Sequence, residues 1–354
     1  LFICIFTVIA FFCICLFECK RFRDFLFSGL RMLGMTAVGL GISGFMLLPA
    51  YYALQLTNSA DNTFPDSVSF YEEWVDLFAN MTAFREPTVK EGLPNLYCGI
   101  ICVVLAGMFI VSRHIRIREK ISAVLILAFL LISCNMNVLN FIWHGFHFTN
   151  MLPYRYSFLF SFVLVVMAYR AFDLVLSGKI RLPDSIAMFI IAGGAFAAAW
   201  FSERNEQQTT AMWFSLAASL FYVTVMFLYE RRVLKPIMMC GLISIGLFLE
   251  MFMNVRTGTT AVGVSDRVSY PSKSAEIQEL LERIEREEDS LFYRAEISTW
   301  YTLNDPALYS YNGVSQFSSM ANKNITTFLR KLGVAGSEAG NRYYYALTSP
   351  LTNM

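Results

Sequence analysis

The chain has 354 residues, 56% of them hydrophobic and 16% charged, with 33 phenylalanines and a mean hydropathy of +0.50. That balance lies far from a water-soluble domain and excludes a soluble enzyme. The 28 Lys and Arg against 27 Asp and Glu leave a formal net charge of +1, which gives no bias toward nucleic acid or an acidic partner.

Leu1 opens inside an apolar run reaching Phe17, with no basic flank and no small-residue cleavage site, so the run is not a signal peptide. It reads as a membrane span met part-way, and the sequence is expected to be a portion of a longer protein. A helix needs about 17 to 25 mostly apolar residues to cross about 30 Å of hydrocarbon, because its backbone amides must be satisfied internally. Eight stretches are of this kind: Leu1 to Phe17, Met32 to Tyr52, Leu96 to Ser112, Ile121 to Leu139, Phe158 to Leu176, Ile186 to Phe201, Met212 to Tyr229 and Ile237 to Val255. They predict a mainly α fold, a polytopic transmembrane bundle of about eight spans.

The basic residues sort by side. One alternate set of connections carries Lys20, Arg21 and Arg23, then Arg113, Arg116, Arg118 and Lys120, then Lys179 and Arg181, then Arg231, Arg232 and Lys235. The other set holds only Arg85, Lys90, Arg155 and Arg204. Short cytoplasmic loops retain positive charge, so the loops at 53–95, 140–155 and 202–211 are expected to face outward. The organisation is then a bundle over 1–255 and an extracytoplasmic α/β domain over 256–354, expected to be incomplete at Met354. In that domain Ser274 is placed to cap a helix bearing Ile277, Leu280, Leu281 and Ile284 at helical spacing. A strand is expected over Leu291 to Tyr293 and Ala295 to Ile297. A second helix starts at Asn322 and ends at Gly333, and Arg342 to Leu347 reads as extended.

The cysteines give no disulfide framework, since seven of the eight lie in or beside spans, Cys98 is at a span edge, and the tail has none. Pairs such as Cys13 with Cys15 or Cys98 with Cys102 fall on apolar helices without a partner pair, so no metal site is read from them.

Polar groups at membrane depth are costly and therefore candidates for function. The connection from Asn137 to Ser157 gathers His144, His147, Arg155, Pro153 and several aromatics. Arg155 could grip a phosphate bidentately. His144 and His147, three apart, share a face if the segment is helical; interfacial aromatic anchoring explains the same residues, and no neighbouring carboxylate supports a metal. In the loop from Thr57 to Asn95, Phe70, Trp74, Leu77 and Phe78 fall at helical spacing opposite Glu72, Glu73 and Asp76, the pattern of a helix lying on the bilayer with its acids in water. Glu250 and Asn254 lie on one face of the last span, where they either brace the bundle or meet a polar headgroup.

Several segments together carry a resemblance. Leu47-Leu-Pro-Ala-Tyr51, Gly92-Leu-Pro-Asn-Leu-Tyr-Cys-Gly99, Trp143-His-Gly-Phe146 with Pro153-Tyr-Arg-Tyr-Ser-Phe158, Glu250 with Asn254, and Asn304-Asp-Pro through Tyr311-Asn-Gly-Val-Ser-Gln-Phe-Ser-Ser319 resemble the bacterial YfhO-type membrane protein family over essentially the whole chain. The resemblance implies a multi-pass protein of the bacterial cell membrane, a GT-C-type glycosyltransferase. Such an enzyme moves a sugar from a polyprenyl-phosphate donor to an extracytoplasmic envelope acceptor such as lipoteichoic acid. Its partners would be the lipid bilayer, the lipid-linked sugar and the envelope polymer, with no nucleic acid. The family's catalytic acids are expected in an outer loop between its first two spans, before Leu1, so the catalytic residues are unknown here. Arg155, His144, His147 and Glu250 remain as substrate contacts, and the cofactor is open, a divalent cation in the longer protein being one candidate. A lipid-linked sugar flippase and a non-enzymatic envelope scaffold stay as alternatives. Against the flippase, the sequence has no matching halves and no paired Gly or Pro breaks.

Overall fold

A computed structural model of the chain describes residues 1–19, 21–58, 63–149, 151–179, 181–201, 208–263, 266, 273–288, 290, 292–298 and 300–345. Lys20, Asn150, Arg204 with its neighbours at 202–207, Leu291 and the stretch from 346 onward lie outside the described residues. The chain is mainly α-helical and divides into two compact units, Leu1–Leu33 with Phe64–Val264, and Gly34–Thr63 with Ser265–Met354.

The larger unit is a helical bundle. Its elements are α1 (Phe2–Glu18), the first part of α2 (Phe22–Gln55), α3 (Trp74–Ala79), α4 (Ile100–Val111), α5 (Ile117–Asn135), α6 (Asn137–Trp143), α7 (Phe158–Leu176), α8 (Leu182–Ala197), α9 (Gln208–Glu230) and α10 (Pro236–Val262). Among the described residues, four helices are long and apolar enough to cross a membrane: α2, α7, Thr209–Glu230 of α9, and α10. The apolar parts of α1 and α8 and all of α4 are shorter, and α5 opens on the charged residues Arg118, Glu119 and Lys120. Exposed phenylalanine, leucine, isoleucine and valine side chains run along α2, α7 and α10, a surface suited to lipid.

At the centre, α4 packs against α7, α8 and α9 and buries nine of its twelve residues. Gly107 lets α8 come close, for a Cβ there would stand 3.4 Å from Ile191 Cβ. The connections rich in Lys and Arg meet in pairs at one end of the unit. Arg116 bonds Glu18 at 3.0 Å, Arg118 donates to the Phe17 carbonyl at 3.0 Å, and the Tyr229 hydroxyl donates to the Leu176 carbonyl at 3.0 Å.

Two expected spans have different limits. The stretch Ile121 to Leu139 is not one helix, because Met136 takes an extended conformation (φ −109°, ψ 123°) between α5 and α6. Asparagines bond backbone groups readily outside helices, and here they flank the break. Asn135 exchanges side-chain bonds with the Glu72 N–H and carbonyl at 2.8 and 2.9 Å, while Asn137 takes the Ser69 N–H at 2.9 Å and gives to the Ser67 carbonyl at 2.8 Å. Phe70 and Met136 form an antiparallel bridge, so the loop supplies the partners that the broken helix lacks. The last span also runs on to Val262, carrying Arg256 inside α10.

The smaller unit holds α11 (Ser274–Glu287), α12 (Asp305–Tyr309), α13 (Lys323–Lys331) and a three-stranded antiparallel sheet in the order β1 (Gln316–Phe317), β3 (Arg342–Tyr344), β2 (Ala335–Gly336). Asn322 caps α13 by accepting the Asn324 N–H at 3.0 Å, as its sequence predicts, and Gly333 follows the helix at φ 90°. Ser274 is instead the first residue of α11, with Lys273 at the cap position. No strand forms among the described residues of 292–297. There the Glu296 carboxylate takes the backbone N–H groups of Val314 and Ser315, which replaces sheet pairing with a side-chain anchor.

Candidate functional site

Away from the basic end, the loop from α3 to α4 folds inward. The sequence predicts a surface helix over Phe70 to Phe78 with its acids in water; the structure keeps Glu73 exposed and corrects the rest. Only Trp74–Ala79 is helical, Leu77 is fully buried, Asp76 is 6% exposed, and Trp74 and Phe78 are the exposed pair. The reason is that the segment after α3 finds backbone partners inside the bundle. Ser215 Oγ of α9 accepts the Ala83 N–H at 3.1 Å, and Asn254 Oδ1 of α10 accepts the Phe84 N–H at 2.9 Å. The Arg85 guanidinium covers the end of α3, donating to the Ala79 carbonyl at 2.9 Å and to Thr82 Oγ1 at 3.0 Å. Burial draws its pKa below the ordinary arginine value, opposed by nearby Asp76.

Beyond Arg85 the loop forms one wall of a cleft of about 480 Å³, lined by Leu93, Pro94, Asn95 and Tyr97 on this side and by Pro153, Arg155, Ser157 and Phe158 on the other. The walls are joined by the Leu152 N–H, which donates to the Val89 carbonyl at 2.8 Å; Leu152 takes a left-handed φ of 53° to do so. Among the described residues Arg155 is the one charged residue in the lining. It is exposed and, among the described residues, gives one N–H of its five-donor fork to the Met151 carbonyl at 3.2 Å. A concave, mostly apolar site with one cation suits an amphiphile carrying an anionic head.

Glu250 stands behind the Tyr97 wall, 1% exposed. Its Oε1 accepts the Tyr97 hydroxyl at 2.5 Å and the Ile100 N–H at 2.7 Å, and its Oε2 accepts the Tyr222 hydroxyl at 2.8 Å. The carboxylate thus joins α10 to α9 and to the N-terminus of α4, where orphan N–H groups and the helix dipole favour negative charge. Gly246, one turn earlier, makes room: a Cβ there would stand 2.7 Å from Phe221 Cε1 and 3.2 Å from Tyr222 Cε1.

The histidines do not line this cleft. His144, 5% exposed, ends α6 with Nδ1 2.8 Å from the Asn140 carbonyl oxygen, and its ring packs edge-on to Phe2 at 5.6 Å and Tyr156 at 5.6 Å. Burial lowers its pKa, and His147 and Arg155 push in the same direction against the Asn140 bond. His147 is half-buried with its ring 6.2 Å from that of His144. Next to them Trp143 stacks on Tyr156 at 4.8 Å and 11°. All eight cysteines are free, and no group of three or more His, Cys, Asp or Glu is arranged for a metal among the described residues.

Of the four residues singled out from sequence, Arg155 is therefore in the cleft, Glu250 is one residue behind it, and the histidines lie on a separate aromatic patch. Tyr97, at the edge of a span, and Tyr222, in the middle of one, carry no local mark of this role, because a tyrosine is ordinary at both places; the nearest local sign is Gly99, two residues after Tyr97, which takes φ 105°.

A bundle of apolar helices, several long enough to cross a bilayer, with inward-folded loops and a one-cation cleft at one end, defines a multi-pass membrane protein. The family described as bacterial membrane protein YfhO matches residues 2–354, and the chain belongs to it. No curated protein and no solved structure matches the chain.

Proposed function

We propose that the protein is an integral membrane glycosyltransferase of GT-C type, moving a sugar from a polyprenyl-phosphate donor to an extracytoplasmic envelope acceptor such as lipoteichoic acid. In this reading the shorter apolar helices complete a bundle of about eight spans over 1–255, and the domain over 256–354 lies outside the cell with the cleft. The observation that carries it is Arg155, among the described residues the one charged residue lining a cleft at the end of the bundle away from the basic connections. A lipid-linked donor keeps its chain in the bilayer and needs its phosphate met at the edge by a planar donor fork. Charge building on the departing phosphate during transfer is stabilised by the same guanidinium. Among the described residues the cleft lining includes no carboxylate, so in this reading its residues hold and orient the donor, and the base for the acceptor hydroxyl is assigned to an acid elsewhere in the protein.

The test is a deletion strain complemented with the intact gene or with Arg155→Ala. The variant is expected to lower envelope-polymer glycosylation by about tenfold or more, the loss typical of a charge-assisted hydrogen bond, with donor lipid accumulating on the outer leaflet. Unchanged glycosylation refutes the role of Arg155, and donor held on the inner leaflet favours a flippase.

A further inference from the structure

The Glu250 cluster sets the hydrogen-bonding character of one cleft wall. Tyr97 lines the cleft, and its hydroxyl proton is committed to Glu250 Oε1 at 2.5 Å. The carboxylate is buried, and its two oxygens take three protein donors, two of them fixed by the backbone of α4 and by Tyr222. Turning the Tyr97 hydroxyl toward the cleft as a donor would strip one of these bonds from a buried acid, which is unfavourable. What remains to Tyr97 is the acceptor capacity of its oxygen. Arg155, across the cleft, can only donate.

We propose that Tyr97 contacts the ligand of the Arg155 cleft as a hydrogen-bond acceptor, and that Glu250 is the positioning residue that keeps it one. The ligand class is then a phosphodiester bearing hydroxyl groups beside its phosphate, distinguished from a bare alkyl phosphate by Tyr97. This rests on the reading of the cleft as the donor site. It also explains a carboxylate held without a cation among the described residues: the group acts through the tyrosine and does not touch the ligand.

The experiment compares two probes, decyl phosphate and decyl phosphoglucose, binding to the full-length protein in detergent. Arg155→Ala is expected to weaken both. Tyr97→Phe, which keeps the ring, is expected to weaken only decyl phosphoglucose, by about fivefold, the worth of one neutral hydrogen bond. Tyr222→Phe removes a Glu250 donor outside the cleft and is expected to leave the ratio of the two affinities unchanged. Glu250→Met loses the ratio and Glu250→Gln, which retains an acceptor for Tyr97, keeps it; this pair decides the matter should Tyr97→Phe not fold. If Arg155→Ala weakens both probes while Tyr97→Phe weakens neither, or both equally, the Tyr97 role is overturned and the cleft reading stands. If Arg155→Ala changes neither, the cleft reading falls and takes this inference with it.

Discussion

Each unit of the molecule contains a carboxylate that is 1% exposed, Glu250 in the bundle and Asp305 in the smaller unit, and the two solve the same problem with different reach. Glu250 draws its donors from residues 28, 150 and 153 positions away in sequence. Asp305 draws its donors from next door: Tyr301 N–H at 2.7 Å, Thr302 N–H at 2.6 Å and Thr302 Oγ1 at 2.6 Å. Both satisfy the rule that a buried acid must be fully hydrogen-bonded. In the bundle, where most backbone groups are consumed inside helices, Glu250 finds its partners on α9, at the N-terminus of α4 and just before it, and so fixes how these elements pack. In the smaller unit an acid closes a turn and fixes little beyond it.

The largest effect that this contrast predicts is for Glu250→Ala. It leaves two tyrosine hydroxyls and the Ile100 N–H without their acceptor in a buried site, and opens a cavity between three helices. A loss of about 3–5 kcal/mol is expected, from three buried donors left without an acceptor at about 1 kcal/mol or more each together with the cavity, read as a lowered unfolding midpoint in detergent with α4, α9 and α10 loosening together. A loss below 1 kcal/mol, as for a surface substitution, would contradict the bracing role. Asp305→Ala is expected to cost about 1–2 kcal/mol, because water can reach the exposed flank of the turn and replace part of what is lost. Hydrogen exchange should rise at Tyr301 and Thr302 and around α12, with α4 and α10 unaffected. If exchange rose throughout the bundle, the local character of the Asp305 cluster would be disproved.

The same contrast decides what could be read from sequence. Long apolar runs specify α7 and α9 within a few residues and the start of α10, whose end lies seven residues further on at Val262, because in lipid a helix must satisfy itself and hydropathy alone marks it. Asn322 and Gly333 marked the limits of α13 for a similar reason, being local cap and stop signals. The break at Met136 is not legible in the sequence, since its cause is the distant loop segment at Ser69 to Tyr71 that bonds to it through a single bridge and flanking backbone hydrogen bonds. The burial of Asp76 is not legible either, because helical spacing says which face a residue shares, not whether that face turns inward. At the site, Arg155 and Glu250 stood out as charges against apolar surroundings. Tyr97 and Tyr222 acquire their meaning only from a carboxylate about 150 and 28 positions away, respectively, a relation that no local pattern expresses.

The smallest effect concerns a group that lacks what both acids have. The Asn140 carbonyl can only accept, so His144 carries its proton on Nδ1 when neutral and presents a bare Nε2, which is buried with no hydrogen-bond partner among the described residues. Charging this ring places a cation between Phe2 and Tyr156 with Arg155 and His147 adding repulsion, and its pKa lies below the ordinary histidine value. The unfolded chain therefore binds a proton that the folded protein refuses between the folded pKa and about 6.5. Stability from this site is complete above about pH 6.5 and drains away as pH falls toward the folded value. His144→Gln removes the titration, so the difference in unfolding midpoint between the native protein and this variant should be constant from about pH 8 to pH 7 and shift in favour of the variant between about pH 6.5 and pH 5. A difference that stays level down to about pH 5 would mean that the ring accepts its second proton at no cost, and that its Nε2 has a partner in the folded protein after all.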